Sequence, residues 1–138
     1  MSNLRLIKVD INNNYQEQGD KLILKTTWQN TGEEMPDFST QIEAGISFCG
    51  RHRLDQSNCD FYSFKWKPFP TADLWRQGDV WTTTGIWTLP QMWGGSYKIS
   101  LSLIDEFGEH ITFFGSDNIP VYSQYITEID VGWGWGRK

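Results

Sequence analysis

Residues 97–103, Tyr-Lys-Ile-Ser-Leu-Ser-Leu, decide the fold class of this chain. Apolar side chains stand at every second position with polar ones between them, which is the pattern of a β-strand with one buried and one solvated face. Gly94 and Gly95 precede the strand, and a turn at residues 105–108 follows it. His110–Phe114 is then predicted to form the return strand of a hairpin.

The same period of two recurs in both directions along the chain, and Gly, Pro and Asn residues separate the segments. The predicted strands are Leu4–Ile11, Leu22–Trp28, Phe38–Cys49, Phe61–Trp66, Val80–Leu89, residues 97–103, His110–Phe114 and Tyr125–Val131. No segment shows a helical period, and there is no internal repeat or linker. We therefore predict an all-β protein, a single domain over residues 1–138, in which about eight strands form an antiparallel β-sandwich.

Composition restricts the possible partners. The chain has 138 residues and a net charge of −5 that is not gathered into blocks. A nucleic-acid partner would require a basic face, so we expect none. No apolar run approaches the roughly 18 residues of a membrane span, so we expect no membrane contact. The first residues show no charged-then-apolar pattern, so we expect no signal sequence in them.

Tryptophan is the most over-represented residue. The eight positions are Trp28, Trp66, Trp75, Trp81, Trp87, Trp93, Trp133 and Trp135. An indole is large and seldom fully buried, and exposed indole faces commonly mark a binding surface. Trp28 ends an alternating apolar face, which predicts a core position. Trp81 and Trp87 share one side of their strand. They either pack in the core or form an exposed aromatic platform on which a ligand can stack.

Several other tryptophans lie where exposure is expected. Trp75 sits in a turn region and Trp93 in a Met-Trp-Gly-Gly loop, so both are predicted to be partly exposed. Trp133 and Trp135 follow Val131 and would project to one side about 6–7 Å apart on an extended segment. Instead of binding a ligand, Trp133 and Trp135 could continue the last strand into the core or pack on a neighbouring domain. The position of Trp66 is equally consistent with a core side chain and with an exposed platform.

Cys49 and Cys59 bracket nine residues of a mostly polar loop. A disulfide there would stabilise the fold by about 2–3 kcal/mol and would suit a secreted protein. The alternatives are two free thiols, or metal ligands together with His52. No fourth ligand stands at a standard zinc spacing, so we expect no metal site.

Two groups of motifs resemble a known family. The first is Leu22-x-Leu-x-Thr-x-Trp28-x-Asn30-x-Gly32, and the second is Trp75-x-x-Gly78 followed by Leu89-Pro90 and the run from Gly95 to Asp105. Together with the closing strand they resemble the immunoglobulin-like β-sandwich accessory modules of bacterial glycoside hydrolases. The resemblance covers most of the chain from Leu22 to Val131. It implies a carbohydrate-binding, non-catalytic role beside catalytic or other modules in a longer, extracellular parent protein.

The residues agree with a binding module better than with an enzyme. His52 and His110 are the only histidines, and no nucleophile motif or cofactor motif is present. We therefore expect stacking of a neutral polysaccharide, such as a plant cell-wall β-glucan, on exposed tryptophans. The candidates are Trp75, Trp93, Trp133, Trp135, Trp66 and Trp81. Two alternatives stay open: a structural module that braces a catalytic domain without binding sugar, and an adhesion or protein-binding domain.

Overall fold

The computed structural model describes residues 3–49, 59–92 and 94–132, and this part of the chain is built almost entirely of strands. One short 3₁₀ turn lies at Ala72–Leu74. The eleven strands within the described residues are β1 (Leu4–Ile11), β2 (Tyr15–Gln16), β3 (Lys21–Asn30), β4 (Gln41–Cys49), β5 (Cys59–Trp66), β6 (Val80–Thr88), β7 (Gly95–Ile104), β8 (His110–Ile111), β9 (Phe113–Phe114), β10 (Pro120–Val121) and β11 (Gln124–Val131).

The strands form two sheets, in the orders β10-β9-β1-β3-β6 and β2-β11-β7-β4-β5, with β8 beside β7. This confirms the predicted all-β sandwich. Two details of the prediction were wrong: there are eleven strands rather than about eight, and β9 and β2 pair in parallel with β1 and β11. The additional strands have only two residues each, which is too short for alternation to be visible.

The predicted hairpin after β7 is only half correct. His110 and Ile111 do return along β7, where His110 lies opposite Ile104. The chain then crosses to the other sheet, and Phe114 of β9 pairs with Arg5 of β1. The crossing places Phe113 in the core against the edge of Trp28, with ring centroids 5.4 Å apart.

The core lies between the inner faces of the two sheets, as the alternation predicts. In β7 the apolar set from Tyr97 to Leu103 is buried, and in β6 the inward positions include Thr83, Gly85 and Trp87. Trp28 is fully buried, so its predicted core position is confirmed. Its indole Nε1 donates to Thr26 Oγ1 at 2.8 Å, which satisfies the one polar group of the side chain.

A β-bulge changes the face of β1 midway. Leu6 pairs with Trp28 and Lys8 pairs with Thr27, so Ile7 is an extra residue in the strand. A bulge of one residue reverses the side that the following residues face. Leu4 and Leu6 are therefore buried before the bulge, and after it Val9 and Ile11 rather than Lys8 pack against the core.

Gly85 gives the first prediction, because it lies directly beneath the indole of Trp66. A Cβ at Gly85 would stand 2.6–2.8 Å from three ring atoms of Trp66. That indole is held between the sheets by a 3.1 Å hydrogen bond from Nε1 to Thr83 Oγ1. We expect Gly85→Ala to lower the free energy of unfolding by about 1–3 kcal/mol, measured by urea denaturation.

Gly45→Ala is the matched control in a central strand. Its Cβ would meet the Phe61 ring at 3.0 Å, but Phe61 is exposed and can turn aside. We expect a change within about 0.5 kcal/mol. Equal losses in the two variants would contradict the role that we assign to the Trp66–Gly85 contact.

Candidate functional site

Trp75 is a core residue, and the predicted exposure of its indole was wrong. Its side chain is only 1% exposed, and its Nε1 donates to the carbonyl of Pro70 at 3.0 Å. The connection between β5 and β6 turns back at Ala72–Leu74 and places the indole in the core at the end of the sandwich. A ring enclosed in this way offers no face on which a sugar could stack.

Trp66 and Trp81 lie between the sheets and are half-buried. Trp66 stacks on Phe64 at 5.7 Å, and Phe64 stacks in turn on Trp87 at 5.7 Å. Trp81 lies opposite Trp28 in the β3–β6 ladder. These rings fill the open side of the sandwich between the edge strands β5 and β6, so they do not form a flat external platform.

The remaining tryptophan candidates, Trp93, Trp133 and Trp135, lie outside the described residues. Their described neighbours share one end of the sandwich, because Gly95 at the start of β7 pairs with Val131 at the end of β11. The exposure and the ligand role of these three residues therefore stay predictions.

The side chains of Cys49 and Cys59 also lie outside the described part of the structure. The backbone register does place the two residues directly opposite each other across β4 and β5. Opposite residues in an antiparallel pair have Cα atoms about 4.5–5.5 Å apart, which is within the range that a disulfide requires. The disulfide stays a prediction, and this register favours it.

The outer face of the six-stranded sheet is the surface most suited to a ligand. Its floor consists of small residues on three neighbouring strands, namely Gly45, Ser47, Ser63, Ser96 and Ser100. We call this surface the serine face. Ser63, Gly45 and Ser100 lie in one row across β5, β4 and β7. Because none of these side chains rises far above the backbone, the larger side chains beside them, Phe61 and Lys98, stand above the floor.

Three exposed aromatic rings stand on the serine face. Phe61 of β5 is 64% exposed, and its ring lies over Gly45. Tyr125 of β11 lies opposite Ser100 and is 52% exposed. Tyr15 of β2, opposite Asp130, is 44% exposed. Gly45 and Tyr125 are two strand spacings apart, roughly 10 Å.

Polar groups alternate with the rings. The Ser96 hydroxyl donates toward Asp130 Oδ1 at 3.0 Å or Glu128 Oε1 at 3.3 Å. Lys98 lies between Ser47 and Glu128 in the register. The face therefore offers aromatic surface together with hydroxyl, carboxylate and ammonium groups, which is the combination that orients a polyhydroxylated ligand.

Phe61, Tyr125 and Tyr15 are not among the binding residues predicted from the sequence, because that prediction rested on tryptophan alone. The signal was present for Phe61: if Tyr62, Phe64 and Trp66 face the core, then Phe61 must point outward. Tyr125 lies just before a second bulge, where Tyr125 pairs with Ser100 and Thr127 with Ile99. Its orientation could not be read from alternation alone.

A second exposed surface lies at the opposite end of the sandwich from Gly95 and Val131. We call it the loop end; it comprises segments 31–40, 67–79 and 105–109. It exposes five large apolar side chains, which are Met35, Phe38, Phe69, Leu74 and Phe107. The same segments carry eight of the seventeen acidic side chains and only two basic ones, so the loop end is acidic.

The described residues give no sign of a metal centre or a membrane-spanning helix. No group of three or more His, Cys, Asp or Glu side chains in the described ranges is arranged to hold a metal ion. Within the same ranges, no helix has the length and apolar character that a membrane crossing requires.

Comparison with known proteins gives no family for this chain. No protein-family model matches it, and no curated protein matches it. Among solved structures, the chain is similar to part of the Pseudomonas fluorescens alkylpurine DNA glycosylase AlkC bound to DNA containing an abasic site analog. The TM-score is 0.49 and the identity 8%, over 94% of this chain and 30% of that chain.

Proposed function

We propose that this chain is a non-catalytic, extracellular module that binds a neutral polysaccharide across the serine face. The observation that carries the proposal is the placement of three exposed aromatic rings, Phe61, Tyr125 and Tyr15, around a floor of small residues. Aromatic rings in water expose apolar area that a sugar ring can cover with its own apolar face.

The shape and charge of the face favour an extended neutral chain over a small or charged ligand. The surface extends across the whole six-stranded sheet, and from β5 to β2 it measures four strand spacings, roughly 19 Å. Glu128 and Asp130 would repel a polyanion. Serine hydroxyls and carboxylates can exchange hydrogen bonds with sugar hydroxyls without requiring a charge on the ligand. A plant cell-wall β-glucan has these properties.

The proposed surface differs from the one predicted from the sequence, which relied on tryptophan. Trp93, Trp133 and Trp135 can still belong to it, because Ser96, Asp130 and Tyr15 lie beside the end of the sandwich from which those three residues continue.

The test is affinity electrophoresis of the protein in gels that contain soluble neutral β-glucans. We expect the unmodified protein to be retarded, and Phe61→Ala and Tyr125→Ala each to weaken binding about tenfold or more, which corresponds to roughly 1.4 kcal/mol per ring. Melting temperatures should change little, because both rings are exposed.

Phe107→Ala is the matched control for this test. Phe107 is also an exposed phenylalanine, 79% accessible, but it lies at the loop end rather than on the serine face. Retardation should survive its removal. Two results would contradict the proposed surface. One is an equal loss of retardation in all three variants, and the other is retardation that Phe61→Ala and Tyr125→Ala leave unchanged.

The loop end favours a second candidate function, in which the chain braces a linked catalytic domain and binds no sugar. Five exposed apolar side chains within an acidic surface are typical of a protein contact. If no polysaccharide in a broad panel retards the unmodified protein, this structural role replaces carbohydrate binding as the proposed function.

A further inference from the structure

The free edge of β6 differs from every other sheet edge in the described structure. An unpaired edge strand exposes backbone groups that another strand can bind, and proteins usually protect it with short length, lysine, proline or a bulge. β2 and β10 have only two residues, β10 contains Pro120, and β5 contains Lys65. β6 has nine residues without a charge, a proline or a register shift.

The ladder between β3 and β6 shows which backbone groups are free. At its two ends, Asn30 N–H donates to Asp79 at 3.1 Å and Leu89 N–H donates to Asp20 at 3.0 Å. Hydrogen-bonded pairs in an antiparallel ladder recur at every second residue. The residues of β6 whose N–H and C=O groups point away from β3 are therefore Val80, Thr82, Thr84, Ile86 and Thr88.

We propose that two copies of this chain pair antiparallel through β6, about a twofold axis at Thr84, and so join their five-stranded sheets into one. Thr84 is the central residue of the free set, so the twofold axis pairs Thr82 with Ile86 and Val80 with Thr88. Each free residue then faces another free residue. Because β6 carries no charge and no proline along its nine residues, a second copy can pair along the whole strand without placing like charges opposite each other, and we therefore assign a second copy as the partner.

Side chains and charge agree with this pairing. On the outer face, the pairs about the axis are threonine with threonine and threonine with isoleucine, which are strong strand formers. The nearest like charges in the same row would be the two copies of Lys25, because Lys25 lies opposite Thr84. Three strand spacings, roughly 14 Å, would separate them, which exceeds the screening length of about 8 Å at physiological salt.

The aromatic side chains next to β6 supply apolar area for the contact. Phe64, Trp66 and Trp81 remain half-buried along the open side of the sandwich between β5 and β6. A second copy seated on β6 would cover part of this apolar surface, and it would bring Trp81 opposite Trp87 of the second copy. Pairing through β6 does not depend on carbohydrate binding.

Sedimentation velocity over a concentration series from about 1 μM to about 1 mM tests the proposal. We expect a reversible monomer–dimer equilibrium, and we expect the amides of Thr82, Thr84 and Ile86 to become protected from hydrogen exchange as the dimer forms. Thr84→Lys should weaken the dimer at least tenfold, because it adds a charge beside its own twofold copy.

Two further variants complete the test. Thr84→Pro removes a free-edge N–H without removing a hydrogen bond to β3, and it should also weaken the dimer. Circular dichroism reports whether this variant folds. If it does not fold, the result for Thr84→Lys decides the test. Ser63→Lys is the control, because it adds the same charge on the other sheet's edge strand, β5. A protein that stays monomeric at every concentration, or a dimer that Thr84→Lys leaves unchanged, would overturn the proposal.

Discussion

Replacing Trp75 by alanine is expected to lower the free energy of unfolding by about 3–5 kcal/mol, the range for removal of a buried aromatic side chain. Trp75 is 1% exposed and belongs to the core cluster. The substitution would leave a cavity of nearly the whole indole and would remove the hydrogen bond from Nε1 to Pro70. The size of the loss would confirm that this residue supports the fold rather than a ligand.

Urea denaturation followed by far-ultraviolet circular dichroism measures this effect. Leu74→Ala is the control in the neighbouring position of the same connection, where the side chain is exposed. It should change stability by no more than about 0.5 kcal/mol. A Trp75→Ala protein as stable as the Leu74→Ala protein would contradict the burial of Trp75.

Replacing Asn30 by alanine is expected to lower the free energy of unfolding by about 2–4 kcal/mol. Asn30 is fully buried, and its side-chain amide makes three hydrogen bonds to the backbone. Nδ2 donates to the carbonyls of Trp75 at 2.8 Å and Glu34 at 3.1 Å, and Oδ1 accepts from Gly32 N–H at 3.0 Å. Each backbone group left buried without a partner costs about 1–3 kcal/mol.

Asn12→Ala is the control for this substitution. Asn12 also bonds the backbone on both sides of its amide, with Nδ2 to the carbonyl of Lys21 and Oδ1 to Ile23 N–H, each at 2.9 Å. Asn12 is exposed, so water can replace its side chain, and we expect a loss of about 1 kcal/mol or less. Equal losses from Asn12→Ala and Asn30→Ala would show that burial does not determine the cost.

Asn30 and Trp75 should also be coupled. The amide of Asn30 bonds the backbone of Trp75, so each substitution disturbs the same end of the core. The double variant should therefore lose less stability than the two single losses added together. Strict additivity would indicate that the strand-and-turn containing Asn30 and the connection containing Trp75 are stabilised independently.

The sequence by itself determined the fold class and most strand faces. Alternation with period two marks the seven long strands, because each covers a core with one face and meets water with the other. It also placed Trp81 and Trp87 on one side of β6, and the structure shows that this side faces the core. Local patterns suffice for β6 because, in a strand without a bulge, the direction of a side chain depends only on its position in the strand.

Tertiary structure decided the features that depend on distant segments. Trp75 lies in a connection whose path no local pattern specifies, and its backbone carbonyl is bonded by Asn30, forty-five positions away. The serine face brings together β5, β4, β7 and β11, whose order in the sheet differs from their order in the chain. Exposure and proximity are properties of packing, so a count of tryptophans could suggest a binding surface but could not say which rings would form it.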